Sequence, residues 1–516
     1  MFPLDNSIRE EILETEGNIS ISASAGTGKT YTTVKRINKD LEKINTHQTF
    51  AAITFTRKAA KEIKERIGFV TSDSFIGTND TFVLMEIINP FIKDVYGREY
   101  KRDFKQDFSN ENAIDDFQEG LNKLLELDSV CKYRNIRRNF AFELAHEIVK
   151  NSKAARRYLK SKYFRIYIDE YQDSDQDMHK LFKYICLVLN IPLFIVGDTK
   201  QSIYRWRGAY SEGFNELIGS DDFNSFELFH NFRSNKPIQN YSNIFMENAR
   251  KYFQETEFSD EVTSYRFDDE GQATNYIKSW LNEELTCSFL NYRRASAQEW
   301  SALLNNDGLQ FVYIPPSPLE FSEHESEHIW IARLIASFFL EERYNEYDVY
   351  SEIPFPEAFK FKVIQDHLNN LSENRSNKKL FIEKAKDLYD YLGYQNSENI
   401  VEELALLFDV INDEQYVPFY NSGKYNYTVS TIHSSKGLEF DQVIIVGNDY
   451  NFSSEDDRYL HYVAVSRPKT RLLILLFNGD HQRYYNELNN SLKQTNAVGF
   501  NIELNDVIKR LKPKGL

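Results

Sequence analysis

The sequence predicts an α/β protein with parallel sheets flanked by helices, and three observations support this fold class. The apolar run NISI leads into the stretch SASAGTGKT, which spans residues 22–30. The apolar runs FAAITFT, FRIYID and LFIVG each turn abruptly into a polar or charged segment. Helical patterns follow SASAGTGKT and FAAITFT, and buried strands that alternate with helices are typical of parallel sheets.

Length and composition bound the class of protein. A chain of 516 residues predicts roughly three or four domains of about 150 residues each. The acidic start MFPLDNSIREEILETEG lacks the apolar core of a secretion signal, and the most apolar stretch is interrupted by Asn190 and Pro192. We therefore expect a cytoplasmic protein without a membrane segment. The three cysteines are scattered, so they indicate neither disulfides nor a zinc or iron-sulfur site.

The charge is unevenly distributed along the chain. The net charge of −16 argues against a nucleic-acid partner, but residues 131–165 contain eleven Lys or Arg and only two Glu. Two interpretations stay open for this segment. It is either a path for phosphates and stacked bases, or a solvated helical face whose aromatic residues belong to the core. The aromatic residues concerned are Tyr133, Phe140, Phe142, Tyr158, Tyr163 and Phe164.

SASAGTGKT has the composition of a phosphate-binding loop. Gly26 and Gly28 would let the backbone close around phosphates, Lys29 would reach the β and γ phosphates, and Thr30 would complete a magnesium shell. The amphipathic segment that follows would point a helix N-terminus at the anion. Ala23 stands where the usual pattern has glycine. The alternative is a glycine-rich turn without function.

The strand FRIYID delivers two adjacent carboxylates at its end, in DEYQD. An NTPase holds its metal at this point of a sheet. Asp169 would bind magnesium, and Glu170 would orient and deprotonate the attacking water. Adjacent carboxylates on a loop otherwise simply face solvent.

The strand LFIVG leads into DTKQSIYRWRGA. Gln201 is placed to sense the γ-phosphate, and Tyr204 and Trp206 could offer their rings to bases. The alternative is a helix whose aromatic residues pack into the core.

Eight stretches occur in the order of the motifs of superfamily 1A helicases of the UvrD, Rep and PcrA type, and the chain resembles that family from residue 22 to about residue 476. They are ASAGTGKT, TFTRKAAKEIKER, GTNDTF, DEYQD, GDTKQSIYRWRGA, NFRS, TIHSSKGLEFDQVII and YVAVSRPKT. The resemblance implies two RecA-like P-loop NTPase domains with mainly helical insertions, and a DNA helicase that hydrolyses ATP bound between the two domains.

The resemblance also implies roles for individual residues. The catalytic set would be Lys29, Asp169, Glu170, Gln201, Arg233 and Arg467, with Mg²⁺ on Thr30 and Asp169. The ATP contacts would be Ala23, Ser24, Ala25, Gly26, Thr27, Gly28, Lys29, Thr30, Tyr31, Phe232 for the base and Glu439 for the ribose. The DNA contacts would be Phe55, Arg57, Thr78, Tyr204, Trp206, Arg207 and His433.

Some positions depart from the family pattern. Glu10 and Glu11 stand in the stretch where the family has a base-reading glutamine, and Tyr31 replaces a frequent arginine. We therefore expect loose reading of the base, so that other NTPs could serve beside ATP. Arg57 stands where asparagine is usual and Asp80 where histidine is usual, so coupling to DNA is expected to differ in detail.

The resemblance divides the chain into four parts. Residues 1–82 and 161–219 would form core 1A, with a basic helical insertion 1B at 83–160. Residues 220–318 and 422–516 would form core 2A, with a reduced helical 2B insertion at 319–421. The chain ends some 40 residues after the last motif, so no fused nuclease is expected.

Several stretches, including FIGTNDTF and PFIKDVYG, resemble the helicase subunits of bacterial Gabija anti-phage systems. That resemblance implies a hetero-oligomer with a partner that combines an ATPase domain with a TOPRIM nuclease. Three functions stay open: a DNA-translocating or unwinding enzyme, a regulatory subunit that senses DNA ends with little unwinding, and a stand-alone repair helicase. A vestigial loop is the least favoured, because every catalytic position carries a competent residue.

Overall fold

The computed structural model describes residues 5–44, 46–67, 73–101, 104–107, 111–205, 208–256, 260–319, 328–353, 356–394 and 400–512. The side chains of Arg57, Lys58, Lys105, Gln106 and Glu357 also lie outside the description.

The strands form two large parallel sheets and one small pair. In chain order the strands are β1 (Ile19–Ala23), β2 (Thr49–Thr54), β3 (Phe75–Thr78), β4 (Lys105–Asp107), β5 (Ser129–Cys131), β6 (Tyr163–Ile168), β7 (Leu193–Gly197), β8 (Asn224–Leu228), β9 (Val262–Phe267), β10 (Cys287–Asn291), β11 (Val312–Tyr313), β12 (Tyr427–Thr431), β13 (Phe440–Val446), β14 (Pro468–Phe477) and β15 (Lys509–Leu511). The first sheet has the order β3-β2-β6-β7-β1-β8, the second has β11-β12-β10-β13-β14-β9-β15, and β4 pairs with β5.

Helices cover both large sheets. They are α1 (Asn6–Glu14), α2 (Lys29–Lys43), α3 (Arg57–Arg66), α4 (Asn79–Val83), α5 (Asn89–Tyr96), α6 (Phe117–Leu127), α7 (Phe140–Asn151), α8 (Lys153–Lys162), α9 (Gln176–Leu187), α10 (Ser211–Ile218), α11 (Lys236–Ile244), α12 (Glu270–Trp280), α13 (Arg294–Asn306), α14 (Ile329–Leu340), α15 (Glu346–Glu352), α16 (Phe361–Glu373), α17 (Lys378–Tyr391), α18 (Ile400–Asn412), α19 (Val417–Tyr420), α20 (Glu455–Val465), α21 (His481–Asn496) and α22 (Leu504–Val507).

The central strands are apolar because helices shield both faces of each sheet. Every residue of β2 and β7 is buried, and so is every residue of β10. All strand pairings in the two large sheets are parallel, which confirms the predicted α/β class with two parallel sheets flanked by helices. Among the described residues, no helix has both the length and the apolar character needed to cross a bilayer.

One boundary differs from the expectation. Core 1A was expected to end at residue 219, but β8, at 224–228, pairs in parallel with β1 and is the outermost strand of the first sheet. The reason is local: Asn224 donates its backbone N–H to the carbonyl of Asn18, which starts the ladder beside β1. The first sheet therefore extends past the predicted boundary.

The two insertions differ in structure. The segment 83–160 is mainly helical but contains the β4–β5 pair and a π-helical turn at Leu84–Ile88. The described residues between β11 and β12 contain only helices, which pack around an apolar core of their own.

Candidate nucleotide and DNA sites

The phosphate loop joins β1 to α2. Ala23 ends β1 and is fully buried, and Lys29 begins α2. Gly26 and Gly28 have φ angles of 71° and 75°, a left-handed conformation that favours glycine. The loop therefore leads directly to a helix N-terminus, where backbone N–H groups and the helix dipole favour an anion.

The segment NFRS packs directly on this loop. The N–H of Phe232 donates to the carbonyl of Gly26 at 2.8 Å. A Cβ atom at position 26 would lie 2.3 Å from Oδ1 of Asn231, so only glycine allows this approach. The residue that was predicted to stack on the base is thus held against the phosphate loop.

Two carboxylates follow β6 at the same end of the sheet. Nζ of Lys29 lies 3.1 Å from Oε1 of Glu170, and Nε2 of Gln172 donates to Oε2 of Glu170 at 2.5 Å. Burial and the neighbouring charge of Glu170 raise the pKa of Asp169. Burial also acts to raise the pKa of Glu170, but the charges of Lys29 and Lys436 outweigh it and hold that pKa below its usual range. These cations therefore hold Glu170 in its ionised form.

The donor set fits a magnesium ion. Thr30 follows Lys29 in the first turn of α2, and the buried Asp169 precedes Glu170, so a hydroxyl and a carboxylate are next in sequence to the two residues of the Lys29–Glu170 contact. Within the described ranges, no group of three or more His, Cys, Asp or Glu residues could hold a metal by itself. Mg²⁺ is commonly bound through one or two carboxylates together with substrate phosphates.

Arg467 brings a cation from the second sheet to the first. It follows α20 and is almost completely buried, and its Nη2 donates to Oε1 of Gln201 at 3.1 Å. Burial, together with the charge of Arg233, lowers the pKa of Arg467. It forms no ion pair with a carboxylate of the described residues, so its positive charge is available to an anion.

Gln201 is itself oriented by a carboxylate. Its Nε2 donates to Oδ2 of Asp198 at 2.7 Å, and Asp198 also pairs with Nζ of Lys200 at 2.7 Å. The amide oxygen of Gln201 therefore faces Arg467. Asp198 and Lys200 lie in the predicted motif, but their contacts could not be read from the sequence.

Arg233 occupies the other side of the cleft. Its Nε donates to Oε2 of Glu439 at 2.9 Å, and Glu439 also pairs with Lys469 at 3.1 Å. The structure thus brings together Arg233 and Glu439, two of the residues that were predicted to contact the nucleotide. Ser466, which precedes Arg467, accepts from Nη1 of Arg233 through its carbonyl at 3.4 Å.

The base side of the cleft contains a residue that the sequence analysis missed. Arg9 on α1 donates from Nη2 to the carbonyl of Thr27 at 2.6 Å and from Nη1 to Oγ1 of Thr32 at 2.7 Å. Its guanidinium carbon lies 5.3 Å from the ring centroid of Phe232. Phe232 is 56% exposed, so one face of its ring is accessible to a base.

Glu10 and Glu11 were expected at the position that reads the base, but both are exposed, and Arg9 is the residue of α1 that faces the loop. The available signal was the helical spacing, because Arg9 and Ile12 are three residues apart and share the buried face of α1. Tyr31 is exposed at the start of α2, and Nζ of Lys35 lies 4.8 Å from its ring centroid.

The predicted DNA contacts lie at the carboxyl ends of strands. Phe55 follows β2, Thr78 ends β3, and Tyr204 lies beyond β7. The ring of Tyr204 lies 6.3 Å from that of His433, which follows β12 of the second sheet. Trp206 and Arg207 lie outside the described residues, as does the side chain of Arg57.

Lys436, also missed by the sequence analysis, connects the two sites. Its Nζ donates to Oδ2 of Asp173 at 2.5 Å and to the carbonyl of Gln201 at 3.2 Å. It also lies 4.7 Å from the ring centroid of Tyr204. Lys436 therefore contacts the loop that follows the predicted catalytic carboxylates, the predicted γ-phosphate sensor Gln201 and the predicted DNA contact Tyr204.

Most aromatic side chains of residues 131–165 lie in the core, and most basic side chains lie on the surface. Tyr133, Phe140, Phe142 and Tyr163 are buried, because they fill the apolar core of the first sheet and its insertion. Tyr158 and Phe164 are half-buried. Burial therefore excludes base stacking on the four buried rings, which leaves them with the second of the two interpretations that the sequence kept open. Basic side chains are exposed on the outside, among them Lys153, Arg157 and Lys160 on one face of α8.

Comparison with known proteins identifies the family of this chain. Over 496 residues the chain is 39% identical to the Gabija protein GajB of Bacillus cereus, and the match covers 95% of this chain and 99% of that protein. The chain belongs to the GajB family of UvrD-like helicases. A model of the UvrD-like helicase C-terminal domain matches residues 357–479 of this helicase, and a model of an AAA domain matches residues 8–207.

More distant relatives agree with this placement. A probable DNA helicase II homolog of Mycoplasma capricolum is 23% identical and covers 91% of this chain and 84% of that protein. The ATP-dependent DNA helicase PcrA of Staphylococcus epidermidis is 24% identical, with 90% and 82% covered. The predicted family resemblance is confirmed, and the helicase is an ATP-dependent DNA helicase of superfamily 1A.

Proposed function

We propose that this helicase uses the cleft between its two sheets to hydrolyse ATP, or another purine triphosphate, and that hydrolysis is coupled to movement on DNA. The observation that carries the proposal is the composite site. Lys29 and Glu170 come from the first sheet, and Arg467 reaches Gln201 from the second. Two buried or half-buried arginines beside a phosphate loop suit a substrate with several negative charges.

Each residue has a step in this proposal. Lys29 binds the β and γ phosphates, and Glu170 orients a water molecule on the γ-phosphorus and takes its proton. Charge then spreads over the phosphoryl oxygens, and Arg233 and Arg467 neutralise it. Thr30 and Asp169 would hold Mg²⁺, which would supply neutralisation of the phosphate charge.

Base recognition is proposed to be loose. Phe232 supplies an exposed ring, and the reading position holds Arg9, whose guanidinium already binds the loop carbonyl of Thr27. A stacking face accepts every base, whereas discrimination needs hydrogen bonds to the base edge. We therefore propose that Arg9 positions the phosphate loop and Phe232, and that purine triphosphates other than ATP also serve.

The test is ATP hydrolysis with and without single-stranded DNA at low salt. We expect DNA to stimulate hydrolysis, and Lys29→Ala to remove hydrolysis because the phosphates lose their cation. The exposed Lys43→Ala, on the same helix, is the matched control and should hydrolyse normally. An ATPase rate that is indifferent to DNA, or unchanged turnover in Lys29→Ala, would contradict the proposal.

We further propose that the helicase works in the cytoplasm as a subunit of an anti-phage complex with a TOPRIM and ATPase nuclease. The support is the 39% identity to GajB over nearly the full length of both proteins. Size-exclusion chromatography and mass measurement of the helicase with its co-encoded nuclease test this. A stable complex is expected, and two separate species would leave a stand-alone repair helicase as the better account.

A regulatory subunit that senses DNA ends with little unwinding is the second candidate. The described part of the insertion between β11 and β12 is small, with one apolar core of its own. Strand separation distinguishes the two: ATP hydrolysis stimulated by DNA ends without separation of a forked duplex would favour the regulatory role.

A further inference from the structure

A tight turn in the basic insertion lies beside the predicted DNA-binding motif. The turn spans Asn135 to Arg138, between β5 and α7. The N–H of Arg138 donates to the carbonyl of Asn135 at 3.0 Å, and the N–H of Arg137 donates to the side-chain oxygen of Asn135 at 3.0 Å. This pattern is a β-turn stabilised by an asparagine side chain.

Both ends of the turn are fixed. The guanidinium of Arg138 donates to Glu143 at 2.6 Å and lies 4.0 Å from the ring centroid of Tyr133. Asn139 donates from its backbone N–H to Asp177 and from its side chain to Asp175, both at 2.9 Å. These aspartates begin α9, just after the catalytic carboxylates, so the turn has a defined position relative to the cleft.

The turn packs backbone to backbone against the segment that follows Tyr204. A Cβ atom at Gly208 would lie 1.9 Å from the carbonyl oxygen of Ile136, so position 208 requires glycine, whose φ is 100°. The N–H of Ala209 donates to the carbonyl of Tyr204 at 3.4 Å, so this segment folds back on itself. Ile136 therefore stands next to the motif that contains Tyr204.

Two side chains at the top of the turn face solvent. Ile136 is 58% exposed although it is apolar and β-branched, so it contributes little to the core. Such turn positions usually take Gly, Pro, Asn, Asp or Ser. Arg137 is exposed and forms no ion pair with a carboxylate of the described residues, whereas its neighbour Arg134 pairs with Asp115.

We propose that Ile136 is an apolar wedge that contacts the base pair at the junction between duplex and single-stranded DNA, and that Arg137 binds an adjacent phosphate. Apolar side chains of this kind insert between base steps and unstack them, and arginine fixes the register through the backbone. The inference rests on the proposed DNA path along Tyr204. The wedge adds to the proposed function an element that opens the duplex. ATP hydrolysis in the nucleotide cleft does not require this element.

The experiment uses a forked duplex with a fluorescent adenine analogue at the junction. Wild-type protein at saturating concentration is expected to raise the fluorescence without ATP, because the analogue becomes unstacked. Ile136→Asp and Ile136→Ala should lose this rise, and Ile136→Leu should retain it. Val498→Ala is the matched control, since Val498 is also 58% exposed and lies beyond α21.

The same variants are then tested for single-turnover separation of the fork and for ATP hydrolysis driven by single-stranded DNA. Hydrolysis reports a folded motor, so the readout is the ratio of junction opening to hydrolysis. We expect this ratio to fall about tenfold in Ile136→Ala. For Arg137→Gln, the slope of log affinity against log salt concentration should become shallower by about 0.9, the value for one phosphate contact with duplex DNA.

The outcomes separate this inference from the proposed function. If single-stranded DNA fails to stimulate wild-type hydrolysis, the proposed DNA path is wrong, and the proposed role of Ile136 is wrong as well. If wild-type hydrolysis is stimulated but Ile136→Asp opens the junction as well as wild type, the wedge alone is wrong. Equal loss in Val498→Ala would also overturn it, since the effect would not belong to this turn.

Discussion

The nucleotide cleft and the outer surface of the basic insertion place positive charge in opposite ways. In the cleft, Arg467 is buried, and Arg233 and Lys29 each bond to a carboxylate. On the insertion, Arg157 and Lys160 are exposed, whereas the aromatic residues near them are buried in the core or packed against it. Burying a cation is costly unless it is hydrogen-bonded or paired. We therefore expect the cleft to accept an anion of defined geometry, and the exposed cations of the insertion to bind a polyanion without a fixed geometry.

The largest expected effect is on the cleft. Replacing Arg467 by alanine should lower kcat by about 10³ to 10⁵, because the charge on the phosphoryl oxygens loses its trans arginine. Nucleotide binding should persist, since Lys29 and the loop remain. Steady-state hydrolysis and titration with a fluorescent nucleotide measure the two quantities.

The exposed Arg483→Ala, on α21, provides the control for this variant and should leave kcat at the wild-type value. If Arg467→Ala turned over ATP normally, Arg467 of the second sheet would not contribute to catalysis. The proposed role of a buried cation in the cleft would then be wrong.

The next effect concerns the packing of α20, the helix that Arg467 follows. Burial lowers the pKa of His461, on α20, to about 3, and its Nε2 lies 2.7 Å from the hydroxyl of Tyr484. The folded protein thus lacks a proton that the unfolded chain binds below a pH of about 6.5. Stability is fully present above that pH, and it should fall by up to about 1.4 kcal/mol per unit as the pH decreases toward 3.

Denaturant unfolding between pH 7 and pH 5 measures this slope. His461→Phe should show a shallower slope than wild type, while replacement of the exposed His47 should leave it unchanged. Identical slopes in wild type and His461→Phe would mean that the aromatic surroundings of His461 do not exclude its charged form.

The smallest effect is expected on the surface. Changing Arg157 and Lys160 to glutamine should lower DNA affinity modestly and reduce the salt slope by about 0.9 for each phosphate of duplex DNA that is no longer neutralised. Fluorescence anisotropy at several salt concentrations gives both values. The matched pair Lys379 and Lys386, exposed on α17, should change neither. An unchanged slope in the first pair would limit DNA binding to the carboxyl ends of the strands.

The sequence predicted the cleft better than the surface for physical reasons. The phosphate loop and the carboxylates Asp169 and Glu170 follow buried strands, and a parallel sheet places the ends of its strands at one edge. Their positions therefore follow from local pattern. The ATP and DNA roles of the individual residues stay predictions, and so do the domain limits, apart from the position of β8 in the first sheet.

Other contacts depend on tertiary packing that one sequence does not encode locally. Arg9 reaches the loop because α1 is held beside α2, where Arg36 donates to the carbonyls of Ile12, Leu13 and Thr15 at the end of α1. The aromatic residues of 131–165 were open to two interpretations, because aromatic side chains among basic residues occur both in protein cores and in nucleic-acid sites.

Nucleotide hydrolysis and DNA binding are proposed to be coupled across the two sheets, and Lys436 contacts residues of both proposed sites. It contacts Asp173, the carbonyl of Gln201 and the ring of Tyr204. The measurement is the ratio of ATP hydrolysis with and without single-stranded DNA in Lys436→Met. We expect this ratio to fall at least about tenfold, toward one, because the replacement removes the cation that joins the two sites. A ratio equal to that of the wild type would contradict the proposed coupling.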